Sequence, residues 1–481
     1  MVSIPSAAHA TAVAVFGAVD PIALWMWSAN IVALLFAFAF GSCVGSLTNV
    51  LVYRLPRGIG VVTPPSACPS CGTRLTWREN VPVIGWLLLR GRCRFCSVKI
   101  SPEYPIVEAV VGLLFAAFYA LWYIVPAQTS GAPFLGVHWS SIAPGYAAAT
   151  FQQSWPAFIL LMVLVGSLVA MTIVDAKTFT IPLVLAWVPA ALAAIVHPLY
   201  ALWYEKSLRG SVQLLPRWEW IIASPGRDGW FWIGGSIGGM VGVVVANVLL
   251  SRGLIRRSFA DYEEWEAKAL AERRAEGATG GGAEAAPASP DEPFDPSNPP
   301  VDLWVQYPHA RREVMKELVF LSPILGLGFA GAKVAHQLAG PWSPNPVDPY
   351  SLVPATAAPL WLVALSAVFL GYLVGGGVVW GVRILGALAF GKDAMGLGDV
   401  HLLAAIGACL GWVDAVIAFF LAAFVGLLWA IVGAVSGGRL RRVLPFGPYI
   451  AIGAVLAILC KPALWALCTF IAKTDQPVRW P

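Results

Sequence analysis

The stretch MGLGDVHLLAAIGACLGW (residues 395–412) joins a glycine-flanked aspartate, Asp399, to an apolar run. An ionisable residue at the edge of a membrane segment is costly, so it is typical of a functional site. The flanking glycines Gly396 and Gly398 allow the backbone to approach a substrate closely. The alternative is structural, with Asp399 beginning a helix as its N-cap. These residues alone do not decide between the two interpretations.

The composition is that of a membrane protein. Hydrophobic residues make up 58% of the chain and charged residues 12%, with a mean hydropathy of +0.73, whereas soluble domains carry about 25% charged residues. Several apolar stretches reach the roughly 20 residues that a bilayer requires. The sequence therefore predicts an all-α polytopic membrane protein with roughly 8–10 transmembrane segments. A net charge of +5, without a basic tract interleaved with aromatic residues, argues against a nucleic-acid partner.

Apolar and polar stretches alternate in a way that predicts five regions. They are an N-terminal membrane anchor (1–52), a small cysteine-containing domain (53–105), a first transmembrane part (106–250), a charged insertion (251–317) and a second transmembrane part (318–481). The centre of the insertion (275–300) has the composition of a disordered linker, and its flanks (262–274 and 310–318) are predicted to be helices on the membrane surface. Residues 402–412 are too few to cross a bilayer unaided, whereas 450–470 are predicted to form one span.

Basic residues orient the predicted spans. The cysteine-containing domain carries Arg54, Arg57, Arg74, Arg78, Arg90, Arg92, Arg94 and Lys99 against only Glu79 and Glu103. Short loops this basic remain in the cytoplasm. Counting spans forward puts the basic clusters near Arg252, Arg383 and Arg439 on the same side, and loops 129–154 and 341–359 on the other. Asp399 is thereby predicted at the cytoplasmic face.

The cysteines predict a metal centre. Cys68 and Cys71 form one CxxC pair and Cys93 and Cys96 a second, with about twenty residues between them. This spacing is typical of a structural zinc site with four thiolate ligands and no open position. The alternative is two disulfides, which are rare in a reducing compartment. Cys43, Cys409, Cys460 and Cys468 lie in apolar runs and are interpreted as small core residues.

A second acidic residue, Asp175, closes a predicted span on the same side as Asp399. Two carboxyl groups brought close share a proton, so one can deprotonate a water while the other protonates a carbonyl oxygen. That is the chemistry of aspartic peptide hydrolysis. The alternative is that Asp175 merely ends a helix near the lipid headgroups, next to Lys177.

Several blocks of sequence, in order, resemble type IV prepilin peptidases. The blocks are GSCVGS (41–46), YRLP (53–56), both CxxC pairs, NVP (80–82), YPIVE (104–108), Asp175 with IP (181–182), GLGD (396–399), LLAAIGA (402–408) and PFGPY (445–449). The resemblance implies a bacterial inner-membrane enzyme with Asp175 and Asp399 as catalytic residues and a cytoplasmic zinc domain. Its substrates would be type IV prepilins or pseudopilins, cut after a short basic leader. It also implies methylation of the new N-terminus with S-adenosylmethionine, for which spacing identifies no pocket.

The chain departs from the family pattern at several points. His401 stands where the family usually has lysine, and Leu183 where it often has a polar residue. Together with Gly396 and Gly398, His401 is predicted to support substrate binding. Glu79, Asn80, Glu103 and Glu108 are candidates for a function in the cysteine domain. Two other classes remain open: a transporter, although no repeat is visible, and a non-catalytic assembly factor, which would not need both aspartates.

Overall fold

A computed structural model of the protein describes residues 21–125, 151–207, 222–262, 264–265, 268–269, 272, 307–344, 352–393, 395–435 and 445–473. The chain forms two compact units, one of residues 1–51 and 60–143 and the other of residues 52–59 and 144–481. The predicted linker 275–300, the basic cluster 439–442, the C-terminal tail and most of loop 129–154 lie outside the described residues.

The first unit is built on two long helices. They are α1 (Pro21–Arg54) and α3 (Glu103–Tyr119), the latter continued by a π-helical turn (Ala120–Ile124), with the short helix α2 (Ile84–Leu88) in the segment between them. Small residues bring α1 and α3 together, since a Cβ added at Gly45 would lie 2.6 Å from the Cα atom of Glu108. The Glu108 carboxylate is buried there and accepts the Val83 N–H at 2.7 Å. It thus ties the polar segment to α3.

The second unit contains the remaining helices. They are α4 (Phe151–Thr178), α5 (Leu183–Ser207), α6 (Trp230–Ser251), α7 (Ala310–Leu338), α8 (Leu360–Phe390), α9 (Leu397–Leu410), α10 (Trp412–Val435), α11 (Gly447–Leu459) and α12 (Lys461–Ala472). A two-stranded antiparallel hairpin, β1 (Trp342–Pro344) and β2 (Leu352–Pro354), precedes α8. Within the described residues of the whole chain, 8 helices are long and apolar enough to cross a membrane. The predicted all-α membrane fold is confirmed.

Two predictions about the helices were wrong. The predicted surface helix 310–318 is the first part of α7 and runs without a break into the following span. The predicted span 450–470 is two helices, α11 and α12, bent by 87°. Pro462 favours a new helix start because it has no N–H. Lys461 donates to Asp414 on α10 at 3.1 Å, which fixes the position of the bend.

Helix α9 forms the centre of the second unit. Its side chains from Val400 to Cys409 are buried, except that of His401, which is partly exposed. Glycines of α8 allow the close approach, because a Cβ at Gly371 or Gly375 would collide with backbone carbonyl groups of α9. At 14 residues, α9 is about 21 Å long. That is shorter than the roughly 30 Å of a hydrocarbon core, as residues 402–412 predicted.

Helices α6 and α7 also pack through glycines, and this contact gives a stability prediction. In Gly242→Ala the new Cβ would lie 2.5 Å from both the Ile324 Cα and the Pro323 carbonyl oxygen. We expect a loss of about 1–3 kcal/mol, because a tightly packed contact must open. The measurement is the thermal unfolding midpoint of the full-length protein in detergent. The control is Gly326→Ala on α7, whose Cβ meets nothing within 4 Å, and equal midpoints would contradict the close packing.

Candidate active site and metal centre

Asp175 lies in the last turn of α4 with only 6% of its surface exposed. The helix ends just after it, where Phe179 adopts a positive φ of 53° and Pro182 cannot donate a helical hydrogen bond. The Asp175 carboxylate accepts the backbone N–H of Gly447 at 3.1 Å. Gly447 begins α11, so this carboxylate lies at the positive end of a helix dipole.

Asp399 lies in the first turn of α9 and is 8% exposed. Gly396, not Asp399, is the residue at the N-cap position, and no side chain caps this helix. The Asp399 carboxyl group is close enough to that of Asp175 for a direct electrostatic interaction. The structure therefore brings together the two acidic residues that the sequence paired, Asp175 in the last turn of α4 and Asp399 in the first turn of α9.

Two glycines allow close packing around the carboxyl pair. A Cβ at Gly447 would lie 2.6 Å from the Asp175 Oδ2 atom, and a Cβ at Gly398 would lie 2.9 Å from the Ile181 Cβ. The Ile181 side chain therefore packs against both Gly398, at the start of α9, and Gly447, at the start of α11. Sequence reasoning did not assign Gly447 to the site, although the PFGPY block was a signal that could have found it. Gly396 has more room, because its added Cβ would lie 3.7 Å from the nearest Asp399 oxygen.

His401 lies two residues beyond Asp399, about 200° further around the helix. Its ring makes an edge contact with Trp187 of α5 at 6.1 Å between centroids. Its Nδ1 atom lies 3.4 Å from the Tyr372 hydroxyl of α8. The histidine thus faces two neighbouring helices, and its support of substrate binding stays a prediction.

The four predicted metal-binding cysteines form one cluster in the first unit. The Sγ atoms of Cys68, Cys71, Cys93 and Cys96 all lie within 4.8 Å of one another. Each pair lies in a tight loop of the same design, closed by the bridge Ala67–Arg74 in one and Arg92–Lys99 in the other. All four residues are free thiols, so the disulfide alternative does not describe this cluster.

The cluster has the dimensions of a tetrahedral zinc site. The Sγ atoms of Cys68 and Cys96 are 3.8 Å apart, and Zn–S bonds of about 2.3 Å place two ligands about 3.8 Å from each other. The residues present therefore fit a closed metal site with four sulfur ligands.

Fold and site define a polytopic helical membrane protein with a buried pair of carboxyl groups and a cluster of four cysteines that could hold a metal ion. Residues 39–122 match the family model described as the bacterial peptidase A24 N-terminal domain, and residues 311–431 match that of the type IV leader peptidase family. These matches confirm the resemblance to type IV prepilin peptidases. The first range contains the four cysteines and the second contains Asp399. Asp175 lies between the two ranges, so its place in the pair rests on the geometry.

Curated relatives carry the name prepilin leader peptidase/N-methyltransferase. One from Myxococcus xanthus is 52% identical over 82 residues, which are 17% of this chain and 24% of the relative. One from Klebsiella pneumoniae is 40% identical over 107 residues (21% and 44%), and one from Pectobacterium carotovorum is 32% identical over 163 residues (30% and 48%). The chain thus spans less than half the length of these relatives. No solved structure matches it.

Proposed function

We propose that this protein is an aspartic endopeptidase that cleaves the leader from type IV prepilins or pseudopilins at the cytoplasmic face of the bacterial inner membrane. The observation that carries the proposal is the buried pairing of Asp175 and Asp399. The cytoplasmic placement is supported by the basic residues of loop 53–105, which favour that side. The substrate class is supported by the names of the relatives.

In the proposed mechanism the carboxyl pair, rather than either residue alone, holds one proton. The ionised member takes a proton from water, which attacks the carbonyl carbon of the scissile bond, while the protonated member donates to the carbonyl oxygen. Collapse of the tetrahedral intermediate returns a proton to the leaving amine. Gly447 holds Asp175 in position through its N–H, and Gly398 allows Ile181 to pack closely beside the start of α9.

The depth of the pair suits a substrate that is itself a membrane helix. A prepilin keeps its basic leader in the cytoplasm and its apolar helix in the bilayer, so the scissile bond lies at the membrane surface. Asp399 begins a short helix and Asp175 ends a span, so both lie at helix ends. Water and an unwound peptide segment can reach a site at the membrane surface more easily than one at the centre of the bilayer.

We also propose that the cysteine cluster holds a structural zinc ion. With four thiolate ligands the metal would have no open position, so its contribution would be to the folding of residues 60–100. Methyl transfer from S-adenosylmethionine is proposed only from the names of the relatives. Glu108 and Glu79 both accept backbone N–H groups, from Val83 and Thr76, which favours structural roles for them.

The proposal is tested by co-expressing the chain with a prepilin in a bacterium that lacks its own prepilin peptidase. We expect the prepilin to shift to the mass of the mature form, with the leader removed. A prepilin that keeps its leader, beside a chain that is present in the membrane, would favour the non-catalytic assembly factor.

Gly447 gives a sharper test of the geometry. In Gly447→Ala the methyl group would lie 2.6 Å from the Asp175 Oδ2 atom, so we expect the carboxylate to move and kcat to fall about 10- to 100-fold. The control is Gly377→Ala on α8, where an added Cβ meets nothing within 4 Å. The measurement is prepilin cleavage by the two purified variants. Equal rates would show that Gly447 does not set the position of Asp175.

A further inference from the structure

Arg383, near the C-terminal end of α8, is a buried cation with 2% of its surface exposed. Its Nε atom donates to the Glu317 Oε1 atom of α7 at 2.7 Å. Its Nη1 atom lies 2.7 Å from Asp393 Oδ1 and also donates to the Met395 carbonyl oxygen. One planar guanidinium therefore joins two helices to the segment that leads into α9.

That segment carries the active-site aspartate. Met395 directly precedes Gly396, the N-cap residue of α9, and Asp399 lies in the first turn of that helix. The Met395 carbonyl group and the Asp399 carboxylate are therefore separated by about one helical turn of backbone. Because the flanking glycines impose little restraint of their own, this segment needs an outside contact to fix its position.

Glu317, which accepts the Arg383 hydrogen bond, is itself held by further hydrogen bonds. Its carboxylate also accepts the Trp380 indole N–H at 3.2 Å and the Ser258 hydroxyl at 3.0 Å. Ser258 lies near the start of the charged insertion, before its predicted first flank. The Glu317 carboxylate thus accepts hydrogen bonds from Arg383 and Trp380 on α8 and from Ser258 near the start of the insertion.

The insertion reaches the same region through three further contacts. The Phe259 N–H donates to the Glu313 carboxylate at 2.8 Å, and the Phe259 ring lies 5.3 Å from the Arg383 guanidinium carbon. Where the chain returns from the insertion, the Tyr307 N–H donates to the carbonyl oxygen of Gly391 at 2.8 Å. The chain is therefore bonded to the end of α8 and its neighbours both near the start of the insertion, at Phe259, and where it returns, at Tyr307.

We propose that Arg383 is a positioning residue that holds the Met395–Asp399 segment in place. Glu317 and the residues Ser258–Phe259, near the start of the insertion, hold the Arg383 side chain in turn. The effect of Arg383 on catalysis rests on the proposed peptidase function. A guanidinium group serves several acceptors in fixed directions, whereas a lysine ammonium at the same place is a single point charge. Residues Ser258, Phe259 and Tyr307 of the insertion are thus part of the support of the site.

The test compares Arg383→Met, Arg383→Lys and Asp393→Ala in the purified full-length protein. The Asp393 side chain is 25% exposed and that of Arg383 is 3% exposed. Because Asp393→Ala removes a less buried group, it tests the same contact if the arginine variants do not fold. The control is Arg227→Met. The Arg227 Nε atom also donates to a backbone carbonyl group, that of Ala358, at 2.9 Å, but at the opposite end of α8.

Two measurements are made on each variant: hydrogen–deuterium exchange of peptides covering 391–400, and kcat and KM for prepilin cleavage. We expect Arg383→Met to speed exchange in those peptides at least about tenfold and to lower kcat about 10- to 100-fold, with KM changed by less than about threefold. Arg383→Lys is expected to recover only part of kcat. The Arg383→Met/Asp393→Ala double variant is expected to be no slower than Arg383→Met alone, because both act on the same segment.

The outcomes separate the two proposals. Faster exchange at 391–400 in a protein whose wild type cleaves no prepilin would support the positioning role and contradict the peptidase. Exchange and kcat that change no more in Arg383→Met than in Arg227→Met would overturn the positioning role and leave the peptidase standing. Additive losses in the double variant would also overturn it.

Discussion

Asp399→Asn is expected to slow leader cleavage by roughly 100- to 10,000-fold, the contribution of a positioned acid or base. Asparagine keeps the size of the side chain but can neither hold nor release the proton that hydrolysis requires. Asp175→Asn is expected to have an effect of the same order, because the two carboxyl groups act as a pair. The measurement is the single-turnover rate of prepilin cleavage by purified variants in detergent.

The control for this pair is Asp228→Asn, an exposed aspartate that precedes α6. All three variants should reach the membrane in similar amounts and unfold at similar temperatures. If Asp399→Asn or Asp175→Asn retained the wild-type rate, the carboxyl pair would not be the catalytic centre. A loss in all three would point instead to a general sensitivity of the fold to removal of a charge.

Cys68→Ser is expected to lower the zinc content of the purified protein from about one ion per chain to nearly none. Serine is a poor ligand for zinc, and the remaining three thiols leave the tetrahedron incomplete. Because bound metal would supply much of the folding free energy of so small a domain, trypsin should then cleave residues 60–100 much faster. Metal analysis and limited proteolysis measure the two effects.

The matched control is Cys43→Ser, on α1 in the same unit but outside the cluster. The interpretation of Cys43 as a core residue was wrong, because its side chain is exposed. The Cys43→Ser variant should keep both the metal and the protease resistance of the wild type. Zinc content that is unchanged in Cys68→Ser, or lost equally in Cys43→Ser, would argue against the four-cysteine site.

Much of the fold could be predicted from the sequence because a bilayer demands long apolar helices. The spans around 155–174, 230–250 and 360–384 are helices of the structure, and the short length of α9 was visible in residues 402–412. The bend between α11 and α12 was not predicted, because the run 450–470 is apolar throughout most of its length. Its signal was Lys461-Pro462 within that run, and its partner Asp414 is distant in the chain.

The site was predictable only in part, for a similar reason. Asp175 and Asp399 could be paired because acidic residues at the ends of apolar spans are rare and both fell on one predicted side. Gly447 and Arg383 could not be placed, since their roles depend on contacts between segments far apart in sequence. His401 was grouped with Asp399 by proximity in the chain, yet helical geometry turns it toward Trp187 and Tyr372.

The most direct test of the central claim is to incubate the purified wild-type protein and its Asp175→Asn and Asp399→Asn variants with one purified prepilin and to weigh the products by mass spectrometry. We expect the wild type to cut a single peptide bond at the junction of basic leader and apolar helix, giving two products whose masses sum to that of the substrate plus one water. Both variants should leave the substrate intact. An intact prepilin with the wild type, or the same two products from either variant, would show that Asp175 and Asp399 do not form a catalytic pair for leader cleavage.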